Sequence, residues 1–391
     1  MSAGPLQDCR VLDLGILTAG AATAALLADL GAEVIKVESP TYRDPFRDWK
    51  AGPHEADSGL RAYFRFTNRN KEGVSIDLKQ PQGRAAFLAL VAESDIVIEN
   101  FRRGVLTKLG IDHSALEAVR PGIILASISS QGESGPDANH VSFGTTLEAM
   151  SGLAWQTGYG GDAPVSSGRG FNYPDQVVAL FAAGMVLAAW RHRKRTGEGA
   201  HLDLSQRELT GFLIGEAFGA AQADSLRAGN ATPEYALQDC FLASDGRWVA
   251  VSIRPDQTPE LRQLMACTEV GQEAGTMRAW TSAQPSTEVV AELRRRGIAS
   301  ALVLDGAGVL AEHGKSWQTA LEHLDSGVPV KGYPFQFMRS PLSIRRDAPR
   351  DAADTEAVLQ RLAGYPPDLI ETLRRVGAIA CGTGTGSGTS G

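Results

Sequence analysis

A chain of 391 residues, 43% apolar and 21% charged, is long enough for two cores and too apolar for intrinsic disorder. Its net charge of −7 argues against a nucleic-acid partner, because gripping a phosphate backbone takes a cationic footprint. Cys9, Cys240, Cys267 and Cys381 are scattered with no Cys-x-x-Cys pair, so they read as reduced thiols of a cytoplasmic protein rather than as a zinc or redox site.

Residues 1–10 lack a basic stretch followed by an apolar run, so no secretory signal is expected. Apolar, β-branched residues predict strands at 11–14, 32–37, 96–98 and 122–128, and helical patterns fall at 19–30 and 82–92. This alternation predicts an α/β fold with a parallel sheet covered on both faces. A glycine-rich loop at 158–170 leads into a long helix expected at 175–191. That helix ends in a basic turn (Arg191, Arg193, Lys194, Arg195), which complements a helix C-terminus. Its apolar part, 177–190, is too short for a bilayer, so no membrane is expected. A strand follows at 201–204. Strands at 240–243 and 248–253 flank Ser244-Asp245-Gly246-Arg247, a hairpin signal. Helical patterns at 259–265 and 286–296 complete a smaller α+β domain. Two amphipathic helices, 354–363 and 367–375, close the chain. The expected division is 1–215 with 329–380 as the large domain and 216–328 as linker and small domain. Residues 381–391, nearly all Gly, Thr and Ser, form a flexible tail.

Several short motifs fail on inspection. Gly15 and Gly20 follow a strand and open a helix, and Glu38 ends the next strand, as in a dinucleotide site. The Gly-x-Gly-x-x-Gly spacing is nevertheless absent. Gly314-Lys315-Ser316 lacks the first glycine of a phosphate loop, since Val309 stands there. Gly132-Glu133-Ser134-Gly135-Pro136 has the wrong register for a nucleophile elbow. No histidine pair has metal-ligand spacing, so no metal is expected. Asp175, in Asn172-Tyr173-Pro174-Asp175 at the mouth of the long helix, reads first as a helix cap. The Gly- and Ser-rich loop before it, with Ser166, Ser167 and Arg169, would admit a substrate. The helix N-terminus would keep the carboxylate ionised, as a nucleophile requires.

Four ordered blocks carry a resemblance: "VLDLGILTAGAATAALLADLGAEVIKVESP" at 11–40, "TNRNKEGVSIDLKQPQGRAAF" at 67–87, "DIVIENFRRGVLTKLGID" at 95–112 and "YPDQVVALFAAGMVLAAWRHRKRTGEGAHLDLSQRE" at 173–208, followed by "GYPFQFMRSPL" at 332–342. They resemble the class III CoA-transferases, the CaiB/BaiF group that includes formyl-CoA and carnitine CoA-transferases. The resemblance implies a Rossmann-like large domain built from both chain ends, a small domain between them and an interlocked homodimer. It implies CoA thioesters as substrates, with no tightly bound cofactor. Asp175 would be acylated by the donor thioester. The resulting anhydride would pass to an aspartyl-CoA thioester and, through a second anhydride, to the acceptor acid.

The resemblance also implies that Leu17 and Thr18 border the thioester, that Asn100 and Phe101 meet the nucleotide of CoA, and that Lys108 lies near its phosphates. Asn68 and Arg69, with Asn70 and Lys71, form a cationic cluster suited to a phosphorylated cofactor. By charge alone they read as a surface turn. Three departures stand out. Ala19-Gly20-Ala21 replaces the usual Ala-Gly-Pro, Thr18 stands where some members carry glutamine, and 233–270 holds no run of glycines to cover the site.

Two competing readings are a 2-methylacyl-CoA racemase and a non-catalytic acyl-CoA binder. Racemases carry a Gly-His-Asp string for α-proton exchange. Here His140 is out of register and no Asp follows it. Arg169 is a candidate partner for a second carboxylate on the substrate.

Overall fold

The computed structural model describes residues 4–49, 60–161, 163–167, 171–219, 227–266, 272–312, 321–324, 327–332, 337–339 and 342–382. Six parallel strands form the larger sheet: β1 (Arg10–Asp13), β2 (Glu33–Glu38), β3 (Lys71–Ile76), β4 (Ile96–Glu99), β5 (Ile124–Ser129) and β6 (Ala200–Ser205). Their order is 3-2-1-4-5-6, and the short strand Ile379–Ala380 pairs antiparallel outside β3. The winding direction reverses between β1 and β4. In open sheets of this kind, the crevice outside the carboxyl ends of such strands is where ligands bind.

The helices are α1 (Ala19–Asp29), α2 (Ala62–Asn68), α3 (Pro81–Ala92), α4 (Val105–Leu109), α5 (His113–Val119), α6 (Gly144–Met150), the single turn α7 (Leu153–Gln156) and the long α8 (Tyr173–Thr196). Alternate side chains of each strand serve opposite faces of the sheet. Leu12, Ile35, Val97 and Leu125 pack with residues of α3, α4 and α5. Val11, Val34, Ile96, Ile124 and Ala126 pack with residues of α1 and α8. Burial on both faces explains why these strands read as apolar runs.

α8 is longer than the sequence pattern predicts. It begins after Asn172 (φ +48°), takes Pro174 into its first turn, and ends at Gly197 (φ +82°), a left-handed stop. Asp175 is therefore inside the first turn and is not the cap. The whole of α8 is long and apolar enough to cross a bilayer by length and composition, whereas 177–190 alone is too short. In this fold Val178, Ala182, Val186 and Trp190 are buried against the sheet. Arg193 pairs with Asp95 at 2.6 Å and Lys194 with Asp8 at 2.6 Å, both just before strands begin. The C-terminus of α8 thus lies at the amino edge of the sheet, and its N-terminus points to the carboxyl edge.

α2 and β3 escaped the sequence reading, which found a polar turn there. β3 opens on Lys71-Glu72-Gly73, without apolar alternation. Gly73 is required by packing, since a Cβ there would stand 2.6 Å from Pro349 Cβ.

A second unit comprises 154–165 and 220–318. Its antiparallel sheet joins Leu237–Leu242, Trp248–Ile253 and Ala299–Leu302, with the first hairpin turning at Gly246 (φ +76°). Helices Thr258–Met265, Glu273–Ser282 and Ser286–Arg295 supply Leu261, Met277, Val289 and Leu293 to its core. Residues 154–165 group here, whereas the sequence reading placed them in the large domain. A bridge from Tyr159 to Ala228 and a bond from Gly229 N–H to Gly158 C=O tie them in. The larger unit resumes at 319 rather than 329. Of the expected tail, Cys381 packs on the core and Gly382 N–H bonds Ala352 C=O. The rest of the tail, Arg169 and Gly314-Lys315-Ser316 lie outside the described residues.

Candidate active site

The turn from β1 to α1, Gly15 to Thr18, sits at the point where the sheet order reverses, and side chains from four directions hold its backbone. Gly15 N–H donates to Asp13 Oδ1 at 2.8 Å, and Gly15 C=O accepts from Lys36 Nζ. Ile16 N–H donates to Asn100 Oδ1 at 2.7 Å, and Asn100 Nδ2 returns a bond to Ile16 C=O at 3.0 Å. Leu17 N–H faces both Asp44 carboxylate oxygens at 3.2 Å. Leu17 has φ +57°, a left-handed conformation that costs a non-glycine residue about 1–2 kcal/mol. Together these hydrogen bonds hold that conformation in place. Gly20 is needed for the approach of Asn100, since a Cβ there would stand 2.9 Å from Asn100 Oδ1. Glu38, the candidate ribose acid, is buried and paired with Arg47 at 2.5 Å.

Beneath the turn lies an internal charge network. Asp13, Lys36, Asp44 and Lys71 are all 0% exposed. Lys71 Nζ reaches Asp13 Oδ2 (2.7 Å), Ala21 C=O (2.8 Å), Thr67 C=O (2.7 Å) and Asn68 Oδ1 (3.0 Å). Desolvation lowers the Lys71 pKa to about 8, with Asp13 opposing it. Burial also works against the charge on Lys36, but Asp13, Asp44 and Glu38 outweigh it and raise its pKa. The expected surface turn is thus part of the interior. Asn68 is spent on Lys71, and Arg69 pairs with Asp29 at 2.5 Å. Asp29 ends α1, eleven residues long, so Arg69 lies roughly 16 Å along the helix from Thr18. The structure does not bring it to the crevice.

Asp175 does come to the crevice. Thr23 Oγ1 of α1 lies 3.5 Å from Ala179 C=O of α8, so the two helices run side by side at that level. Ala19 and Asp175 each stand one turn nearer the carboxyl edge of the sheet. Among the described residues, nothing hydrogen-bonds or ion-pairs with the Asp175 carboxylate. Asp175 keeps some solvent exposure but is crowded by protein, and burial raises its pKa to about 7. Burial thus works against the ionised form that the helix N-terminus is expected to favour.

Of the other expected residues, Phe101 N–H donates to Glu99 Oε2 at 2.7 Å and its ring packs on the core. Glu99 is itself buried, and desolvation raises its pKa to about 7. Lys108 is exposed in the last turn of α4, the helix that follows β4. His140 is exposed and lies 3.3 Å from Asp137, which also binds Arg207 at 2.6 Å. Among the described residues no three His, Cys, Asp or Glu side chains gather to hold a metal.

One functional candidate had no signal in the sequence. Glu148, on α6, is buried and accepts from Ser167 N–H at 2.7 Å and from Ser167 Oγ. It anchors the segment that leads toward Asp175.

The model of the family described as CoA-transferase family III matches residues 6–355. The chain belongs to CoA-transferase family III. A probable CoA-transferase, Rv1866 of Mycobacterium tuberculosis, is 31% identical over 94% of this chain and 50% of its own length. The alpha subunit of succinyl-CoA–L-malate CoA-transferase from Chloroflexus aurantiacus is 35% identical over 65% of this chain and 59% of its own length. The chain therefore spans about half to three-fifths of these curated relatives. The beta subunit of the Chloroflexus enzyme is 28% identical over 95% of this chain and 97% of its own length. A CaiB/BaiF family protein of Brucella suis has a solved structure that superposes with TM-score 0.84 at 28% identity, covering 93% of this chain and all of that one. This family III chain thus shares its mixed α/β fold with the CaiB/BaiF group.

Proposed function

We propose that this family III protein moves CoA from an acyl-CoA thioester to a free carboxylic acid, with Asp175 as the acyl carrier. The observation that carries the reading is a crowded carboxylate, without a partner among the described residues, on the helix that runs beside α1 at the switch point of the sheet. In its ionised form Asp175 attacks the thioester carbonyl; the C–S bond breaks and CoA leaves as thiolate. The thiolate then attacks the aspartyl carbonyl of the anhydride and releases the donor acid as carboxylate. The acceptor carboxylate attacks the aspartyl-CoA thioester, and the returning thiolate takes the new acyl group and frees Asp175. Each step exchanges one acyl bond for another, and no proton need be removed.

The held turn supports this role. Thr18, at the start of α1, makes no side-chain cap bond, so first-turn N–H groups remain as donors for the developing oxyanion. Asn100 and Phe101 would border the nucleotide, and Lys108 its phosphates. A second copy of the chain is part of the reading. Leu180 and Met185 leave an apolar stripe exposed on α8, and Phe212 packs edge-on against Phe181 beside it.

The test is mass spectrometry after incubation with an acyl-CoA and hydroxylamine. The expected result is a hydroxamate at Asp175 that is lost in Asp175→Ala. An unmarked wild-type protein would refute the reading. Rapid α-deuteration of an acyl-CoA in deuterated water, without any acceptor acid, would favour racemisation instead.

A further inference from the structure

A cavity of about 250 Å³ opens beside the held turn and is lined by four arginines and two aspartates. Two of the arginines are already neutralised. Arg47 pairs with Glu38 at 2.5 Å and donates to Pro349 C=O at 3.1 Å. Arg43 pairs with Asp48 at 3.2 Å and Asp351 at 3.0 Å. The other two, Arg61 and Arg350, make no side-chain hydrogen bond or ion pair among the described residues. With Glu38, the four arginines face three acids, a net charge of +1, and the two guanidinium groups without a partner among the described residues have planar forks that suit carboxylate or phosphate oxygens.

The position of the cavity separates those two ligands. Leu60, on its wall, is buried in a small cluster with Phe46 and Phe64, and Leu17 packs against that cluster. Leu17 belongs to the turn that borders the reacting thioester in the proposed function. A CoA phosphate bound to a thioester at that turn lies a full pantetheine arm away, whereas the far end of a short acyl chain lies close by. We propose that Arg61 and Arg350 receive the distal carboxylate of a dicarboxylic acyl group or acceptor acid, and so select dicarboxylates over monocarboxylates. This rests on the proposed transfer reading for the placement of the thioester.

The test is equilibrium calorimetry with succinate and with butyrate, a pair matched in carbon number. It uses the full chain, an Arg61→Gln/Arg350→Gln variant and an Arg61→Lys/Arg350→Lys variant, with thermal unfolding confirming that each is folded. Wild type should prefer succinate by about tenfold or more, the Gln variant should lose that preference and the Lys variant should keep part of it. Equal affinity for the two acids in wild type, or unchanged succinate binding in the Gln variant, would overturn the proposal. So would displacement of succinate by adenosine 3′,5′-bisphosphate, which would give the charges to the nucleotide. Calorimetry needs no turnover, so a failure here is distinguishable from a failure to trap an acyl group at Asp175.

Discussion

Lys36 and Asp44 form an ion pair, Nζ to Oδ2 at 3.2 Å, with neither side chain exposed, directly under the backbone of the turn from β1 to α1. Each partner also holds that turn: Lys36 donates to Gly15 C=O and Asp44 accepts from Leu17 N–H. Removing one partner leaves the other charge buried and alone. Lys36→Met should therefore cost about 3–5 kcal/mol of stability by urea unfolding. Lys36→Met/Asp44→Asn should recover part of that loss, because the orphaned charge is gone while the new side-chain amide still accepts from Leu17. A double variant no more stable than Lys36→Met would refute the pairing.

Asn100 acts on the same turn from the β4 side. Asn100→Ala removes two bonds to Ile16 and should cost about 1–3 kcal/mol of stability. Its larger effect should fall on kcat/KM for the acyl-CoA donor, because a shift of about 1 Å in reacting groups can cost about a hundredfold. Gly20→Ala should act in the same direction, since its Cβ would stand 2.8 Å from Gly15 Cα and 2.9 Å from Asn100 Oδ1. If either variant lost stability yet kept kcat/KM, the turn would be structural only.

Asp175 links activity to pH. Burial penalises the charge and raises its pKa to about 7, so the carboxylate that the proposed transfer uses as nucleophile forms as pH rises through 7. Single-turnover acylation by a donor acyl-CoA should increase from pH 6 to pH 8 and then level off. Stability runs the other way. The folded state holds this proton above the pH at which the unfolded chain releases it, so stability falls as pH rises from about 4 through 7. Glu99, also raised to about 7, contributes with the same sign. Asp175→Asn should thus raise the Tm at pH 8 more than at pH 5. An equal shift at both pH values would show that Asp175 titrates normally.

How far the sequence foretold this site depends on whether each relation is local. β1, β2, β4 and β5 were legible because both their faces are buried and their residues are apolar. Asp175 was legible from its block, although its place inside α8 was not, since Asn172 adopts the rare conformation that starts the helix. The buried network was illegible. Lys71 and Asp13 are 58 positions apart, and Lys71 beside Arg69 looks like a solvated charge until both are seen to have internal acids. Asp44 caps a short turn locally, through Phe46 N–H. No periodicity tells that its carboxylate also meets Lys36 and Leu17.

Glu148 offers the last test. It is buried on α6, and its carboxylate is committed to one residue, Ser167, through both the backbone N–H and the hydroxyl. Ser167 Oγ also lies 3.5 Å from Tyr173 N, the first residue of α8. If Asp175 carries the acyl group as proposed, Glu148 would position it through Ser167 and the start of α8. Ser167→Ala removes the hydroxyl bond and keeps the N–H bond. Glu148→Ala removes both and should slow Asp175 acylation by about a hundredfold, more than Ser167→Ala does. Because the two side chains share one contact, their double variant should be far from additive, with a coupling of about 1–3 kcal/mol. Glu148→Gln, which keeps an acceptor for the N–H, should restore part of the rate. Additive losses with no rescue by glutamine would reduce Glu148 to a packing residue and separate it from the chemistry at Asp175.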